Sequence, residues 1–286
     1  MRPVSSEATT APAFVREHVA ELTLGPDLLV GLDIDGTILG HDDSLSSRVR
    51  RSIDRVVSSG TRLVLATGRS LVAVRPVIER LGLRAGFAVC SNGAVTIRFD
   101  ERGDEMVDVI TFDPGPALRL LREHAPEVIV AVEDLGRGFK VTQPFPDGEL
   151  SGEQEVVPFE ELVAAPATRV TLRAPEWTAQ EFHDLVERSG LHGVSYAVGW
   201  SAWLDMTPDG VSKASALEEV RQRYGVTEGR TLAVGDGQND IEMFRWAGVA
   251  VAMDGADDVT KAAATAVTGP VELDGLVSVL DALPTP

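Results

Sequence analysis

Leu28-Leu29-Val30-Gly31-Leu32-Asp33-Ile34-Asp35-Gly36-Thr37 is the stretch that decides how this chain folds. Its first five residues are apolar or small without interruption, which predicts a strand buried on both faces, as in a parallel sheet covered by helices. The strand runs into two carboxylates, a glycine and a hydroxyl, and Val49, Ile53, Val56 and Val57 then recur at helical spacing. Gly60 stops that helix. Arg62–Ala66 reads as a second buried strand ending in Thr67-Gly68-Arg69, Leu71–Leu81 as a helix, and Phe87–Cys90 as a strand ending in Ser91-Asn92-Gly93. This alternation predicts an α/β fold with a doubly wound, Rossmann-like parallel sheet.

The pattern then changes. Val95–Phe99 and Met106–Ile110 flank Asp100-Glu101-Arg102-Gly103-Asp104, predicting a hairpin. Helices are expected at Ala117–His124 and Ala179–Ser189, and strands at Val128–Val132, Phe139–Thr142, Arg169–Leu172 and Val194–Val198. Strands outnumber helices there, so 112–203 reads as an inserted α+β domain. After Pro208 the first pattern resumes, with helix Lys213–Tyr224, strand Thr231–Val234, helix Ile241–Ala247, strand Val249–Ala252 and a last helix after Asp274. The parallel-sheet domain is therefore assigned to 28–111 and 204–286. Residues 1–27 form an N-terminal extension in which Phe14, Val15, Val19 and Leu22 give an amphipathic turn that packs on the core.

Composition narrows the function. With 26 Lys+Arg against 44 Asp+Glu in 286 residues, the net charge of −18 repels phosphodiester backbones and anionic membranes, so neither nucleic acid nor a membrane is an expected partner. At 44% hydrophobic and 24% charged residues, the chain is globular. Cys90 is the single cysteine, which excludes an intrachain disulfide and a cysteine-based zinc site and points to a reducing compartment. The longest apolar runs, such as Ala247–Met253, are strand-sized, and the first residues lack the apolar region of a signal peptide, so a cytoplasmic location is expected.

Four polar clusters fall at strand ends or helix starts, where open parallel sheets bind ligands: Asp33-x-Asp35-Gly-Thr37, Thr67-Gly68-Arg69, Lys213, and Gly235-Asp236-Gly237-Gln238-Asn239-Asp240. Several carboxylates with a lysine and a glycine-loosened loop suit a hard cation such as Mg²⁺. A carboxylate at a strand end is also a potential nucleophile, and a second one two residues on points to the same side as an acid/base. Thr67 and Lys213 would hold the oxygens of a transferring phosphoryl group. Asp-x-Asp-Gly is no EF-hand here, because the third Asp/Asn and the closing Glu of that loop are missing.

In this order, Asp33-Ile34-Asp35-Gly36-Thr37, Ala66-Thr67-Gly68-Arg69, Gly210-Val211-Ser212-Lys213 and Gly235–Asp240 resemble the four motifs of the haloacid dehalogenase (HAD) superfamily. Ser91-Asn92-Gly93-Ala94 and Asp205-Met206-Thr207-Pro208 resemble its Cof-like branch, which carries a type IIB cap between the second and third motifs. The resemblance implies that 112–203 is the cap and that Asp33 is the nucleophile that becomes phosphorylated. It makes Asp35 the acid/base, and Thr67, Gly68, Arg69, Asn92, Lys213 and Asn239 the phosphate and substrate contacts. It further implies a Mg²⁺ ion held by Asp33, the backbone carbonyl of Asp35, and Asp236, with Asp240 supporting. Ala214 departs from the branch, which commonly has glycine after the lysine. The expected activity is Mg²⁺-dependent hydrolysis of a small phosphorylated metabolite. A phosphomutase or phosphotransferase using the same nucleophile, or a non-catalytic binding protein on the same fold, would share these residues.

Outside the motifs, Arg137, Lys140, Arg169 and Arg173 are candidates to meet a second anionic group on the substrate, in a stretch (112–205) with seven basic and sixteen acidic residues. Trp200 and Trp203 read as packing residues, Cys90 as a small buried hydrophobe, and the histidines show no ligand spacing.

Overall fold

β1 (Leu29–Leu32) is buried at every position in a computed structural model that describes residues 13–174, 176–178, 180, 181, 184, 194–198 and 203–286. By its internal contacts the chain divides into two compact units, Met1–Ala66 with Leu217–Pro286, and Thr67–Ala216.

In the first unit β1 pairs in parallel with β2 (Arg62–Ala66) on one side and β12 (Thr231–Gly235) on the other. Parallel pairing continues from β12 to β13 (Val249–Ala252) and β14 (Ala266–Val267). A strand with parallel neighbours needs crossover helices that cover the sheet. α2 (Ser47–Ser58) buries Val49, Ile53 and Val56 and is capped by Ser46, whose side chain accepts from the Arg48 N–H. It packs on α9 (Gly275–Ala282), as does α1 (Ala13–Val19). Val15, Val19 and Leu22 are buried as expected, whereas Phe14 faces outward.

α6 (Lys213–Tyr224) is pinned to α7 (Ile241–Trp246) by one carboxylate. Glu218 accepts from Trp246 Nε1 at 2.9 Å, from Arg221 Nε at 2.7 Å and from Gln222 Nε2 at 2.7 Å. Chiefly through Arg221, its pKa falls from 4.5 to about 2. A lowered folded-state pKa gives stability that is complete above the unfolded value and lost as pH falls through the folded one. Glu218→Gln should therefore lower the melting temperature at pH 6, and the gap to the native protein should close between about pH 4.5 and 2. Thermal melts of both proteins across that range would check this.

The second unit opens with α3 (Leu71–Leu81), which ends on Gly82 in the left-handed region. β3 (Gly86–Cys90), β4 (Val95–Asp100) and β5 (Gly103–Val109) then form an antiparallel meander. The hairpin turn is shorter than expected: Gly103 and Asp104 belong to β5, where Asp104 pairs with Arg75 Nε at 3.0 Å. A six-stranded sheet follows, in the order β10-β11-β9-β6-β7-β8. Its strands are β6 (Ile129–Asp134), β7 (Gly138–Val141), β8 (Glu153–Val156), β9 (Val170–Arg173), β10 (Val194–Val198) and β11 (Trp203–Pro208). All its pairs are antiparallel except β7 with β8.

Strand alternation gives this sheet two different faces. Val130, Val132, Val170, Leu172, Leu204 and Met206 pack with Leu118 and Leu121 of α4 (Gly115–His124) and Leu162 of α5 (Phe159–Leu162). Ile129, Ala131, Phe139 and Val141 point the other way, toward Phe145, Leu150 and Trp203. The expected helix Ala179–Ser189 and Trp200 lie mostly or wholly outside the described residues. No described helix is long and apolar enough to cross a membrane.

Candidate active site

In the first unit the strand order runs outward from β1 to β2 in one direction and from β12 to β14 in the other. The reversal lies between β1 and β12, and crevices at the carboxyl ends of such a pair are where open parallel sheets bind ligands. Asp33 directly follows β1, and its N–H donates to Val234 O at 2.9 Å, extending the ladder by one residue. Asp236 directly follows β12. Asp33, Asp236 and Asp240 each place a carboxylate oxygen within 4.8 Å of the others.

Local backbone geometry builds this cluster. After Asp33 the chain turns at once, with the N–H groups of Ile38 and Leu39 both donating to Ile34 O. Gly36 has φ +72°, and a Cβ there would stand 2.2 Å from Asp236 Oδ2, so only glycine leaves room for that carboxylate. Asp240 is buried, and its Oδ2 accepts from the N–H groups of Asp236 and Gly237, each at 2.9 Å. It thereby holds the loop that presents Asp236. Asp35 is exposed, and its carboxylate is not one of the clustered three. Asn239 lies half-buried in the short turn Gln238–Asp240. Three hard oxygen donors this close repel one another and attract a divalent cation, so the residues present fit Mg²⁺.

Thr67, Gly68, Arg69, Asn92 and Lys213 belong to the second unit. Thr67 is buried; its N–H donates to Val89 O at 2.9 Å and its Oγ1 accepts from the Arg69 N–H at 3.1 Å. The Ser91–Gly93 turn docks on that loop, Ser91 N–H to Arg69 O at 2.8 Å and Asn92 N–H to Thr67 O at 3.0 Å. Ser91 and Asn92 both adopt left-handed conformations (φ +50° and +54°), which costs energy for residues other than glycine. On its far side the turn meets the start of α6, where a Cβ on Gly93 would stand 2.2 Å from Ser212 O. Ser212 and Ser215 cap that helix reciprocally, and Lys213, its first residue, is 1% exposed. One turn thus joins the Thr67–Arg69 loop to the backbone at Lys213.

The basic residues considered for a second anion contact are committed to carboxylates. Arg169 makes a two-point pair with Asp205 (2.9 Å each) and donates to Gly68 O at 2.7 Å. Arg173 pairs with Glu149, Arg137 with Glu153 and Lys140 with Glu161. Trp203 packs edge-on against Phe145. Burial raises the Cys90 thiol pKa far above its ordinary value, with Glu133 and Asp104 adding to the shift, so the thiol stays protonated and inert. Two side chains touch the site loops: Arg169, expected at a substrate anion and found instead as a structural tie, and Glu133, which sequence reasoning passed over and which accepts from Ser91 Oγ at 2.7 Å. Both come from the inserted stretch, and no local spacing marks them.

The model of the haloacid dehalogenase-like hydrolases matches residues 30–280. Pyridoxal phosphate phosphatase YbhA of Escherichia coli is 27% identical over 270 residues, covering 87% of this chain and 95% of the relative. The 5-amino-6-(5-phospho-D-ribitylamino)uracil phosphatase YcsE of Bacillus subtilis is 26% identical over 271 residues, covering 88% and 94%. A haloacid dehalogenase-like hydrolase from Bacteroides thetaiotaomicron has the same fold, with a TM-score of 0.75 at 24% identity over 89% of this chain and 98% of that one. From β1 and its terminal aspartate into α9, the chain belongs to the haloacid dehalogenase-like hydrolase family.

Proposed function

We propose that this protein is a Mg²⁺-dependent phosphatase that hydrolyses a small phosphomonoester, a sugar phosphate or similar metabolite, through an aspartyl-phosphate. The reading rests above all on the Asp33, Asp236 and Asp240 carboxylates gathered at the ends of β1 and β12. Relatives named for phosphatase activity on small phosphorylated metabolites support it.

In the first step Asp33 Oδ attacks phosphorus, the bond to the ester oxygen breaks, and Asp35 gives its proton to the leaving alkoxide. In the second, Asp35 takes a proton from water as that water attacks the phospho-aspartate; phosphate leaves and Asp33 is restored. The exposure of Asp35 suits a group that exchanges protons with leaving alcohol and water. Thr67, with the Gly68-Arg69 backbone, Asn92, Lys213 and Asn239 hold and neutralise the phosphoryl oxygens. Mg²⁺, held by Asp33, the Asp35 carbonyl and Asp236 with Asp240 bracing the loop, supplies charge neutralisation for the transferring group. The core is assigned to 28–111 and 204–286, and 112–203 acts as a cap that excludes water and large substrates.

Phosphate release from a panel of phosphorylated metabolites tests this. Release is expected with Mg²⁺ and should fall at least about a hundredfold in excess EDTA, recovering when Mg²⁺ is restored. Isomerisation without free phosphate would instead identify a mutase, and silence across the panel would reject the hydrolase.

A further inference from the structure

Glu133 is a buried acid that the proposed mechanism does not use. It lies on β6, on the sheet face that carries Ile129 and Ala131, opposite the helices. The side chain is 8% exposed. Oε2 accepts two hydrogen bonds, from Ser91 Oγ at 2.7 Å and from Thr168 Oγ1 at 2.9 Å. Oε1 is buried and has no hydrogen-bond partner among the described residues. Neither a carboxylate nor a carboxylic acid is satisfied by that arrangement, and buried polar atoms left unpaired are rare because they cost stability. The cation nearest in sequence register, Arg169, offers no relief: it faces Glu133 across the β6–β9 pair, but its guanidinium is taken by Asp205 and Gly68 O.

The place of this oxygen matters as much as its lack of a partner. Ser91, which anchors Oε2, heads the strained turn that carries Asn92. That turn is bonded through its backbone to Thr67 and Arg69 and abuts the backbone at Lys213. Glu133 is therefore one side chain removed from the loops that, on the proposed reading, hold the phosphate.

We infer that Glu133 Oε1 is a specificity-determining acceptor for a hydrogen-bond donor, a hydroxyl or an ammonium, on the carbon skeleton of the phosphomonoester. This inference rests on the phosphatase reading and deepens it. The substrate class becomes polyol or amino-alcohol phosphates, and plain alkyl phosphates are poor substrates because they leave the buried oxygen unpaired.

Matched esters test it, with kcat/KM measured for sorbitol 6-phosphate against hexyl phosphate and for 2-aminoethyl phosphate against propyl phosphate. The native protein should prefer the donor-bearing member of one pair by tenfold or more, and which pair responds identifies hydroxyl or ammonium. In Glu133→Gln the Ser91 and Thr168 hydroxyls hold the amide oxygen, so an NH₂ group replaces Oε1; it cannot bond an ammonium but can still donate to a hydroxyl. The preference should therefore fall at least tenfold in Glu133→Gln for the ammonium pair, and in Glu133→Met, which offers no acceptor, for the hydroxyl pair. Ser91→Ala removes one donor to Oε2 and leaves Oε1 in place, so it should keep the preference. A flat native preference would overturn the inference. So would an equal loss on both members in the Glu133 variant matched to the pair, or the same loss of preference in Ser91→Ala, since either means that Glu133 only braces the turn. Calorimetric titration of the same pairs into Asp33→Asn protein, alone and with the matching Glu133 substitution, separates the two readings. Preferential binding that depends on Glu133, with no turnover by the native protein, would reject the phosphatase and retain the acceptor; turnover with no preference would do the reverse.

Discussion

Asp33→Asn protein is expected to release phosphate about 10⁴-fold more slowly than native protein, or not measurably, while remaining folded. The amide keeps the shape of the side chain at the end of β1 but cannot form the phospho-aspartate. Its effect on stability has the opposite sign. Asp33 is 5% exposed and shares a space of less than 4.8 Å with the Asp236 and Asp240 carboxylates. Like charges this close in a poorly solvated site repel strongly. In EDTA, removing one charge should therefore leave the melting temperature equal or raise it. In Mg²⁺ the order should reverse, because an ion that binds only the folded state stabilises it in proportion to its affinity, and the variant offers one carboxylate fewer. A parallel set of phosphate assays and melts, with and without Mg²⁺, would check both halves. An active Asp33→Asn protein would contradict the assignment of the nucleophile outright.

Gly93→Ala is expected to give the largest loss of stability of any single methyl addition near the site. The glycine has φ +104°, and an added Cβ would stand 2.2 Å from Ser212 O and 2.6 Å from its carbonyl carbon. Both are backbone atoms at the capped start of α6, so no side-chain rotation relieves the clash. Overpacking costs about 1–3 kcal/mol and a strained backbone conformation about another 1–3 kcal/mol, so a loss of roughly 2–6 kcal/mol is expected. Since the same turn bonds Thr67 and abuts the backbone at Lys213, phosphate release should fall with stability. Urea unfolding monitored by tryptophan fluorescence would measure the first effect. Gly60→Ala is a suitable control, because a Cβ there meets nothing within 4 Å, although its φ of +84° still carries strain.

The parallel sheet and its motif residues were legible because the signals are local. β1, β2, β12 and β13 are short apolar runs that end in polar clusters, and α3 and α6 occupy the spans their periodicity predicts. Elements that the sequence hid are short or polar. β8, with the sequence Glu153-Gln154-Glu155-Val156, is an edge strand paired only with β7, so it needs no apolar face. α8 (Asp258–Ala263) and β14 are too brief to show a period.

For the site the division is similar. Sequence by itself singled out the candidates for the chemistry: Asp33, Asp35, Thr67 and Asp236 stand where strands end and Lys213 where a helix starts, the places where open parallel sheets bind ligands. Tertiary structure decided which charges are available and which are spent. Arg137, Lys140, Arg169 and Arg173 of the inserted stretch read as free cations in one dimension, yet each meets a carboxylate 16 to 36 positions away. The same long-range pairing leaves Glu133 with one oxygen satisfied by Ser91 and Thr168 and the other with no partner among the described residues. Strand alternation can assign a residue to a face, but a hydrogen bond depends on what another segment places within about 3 Å of it, and only the folded chain supplies that.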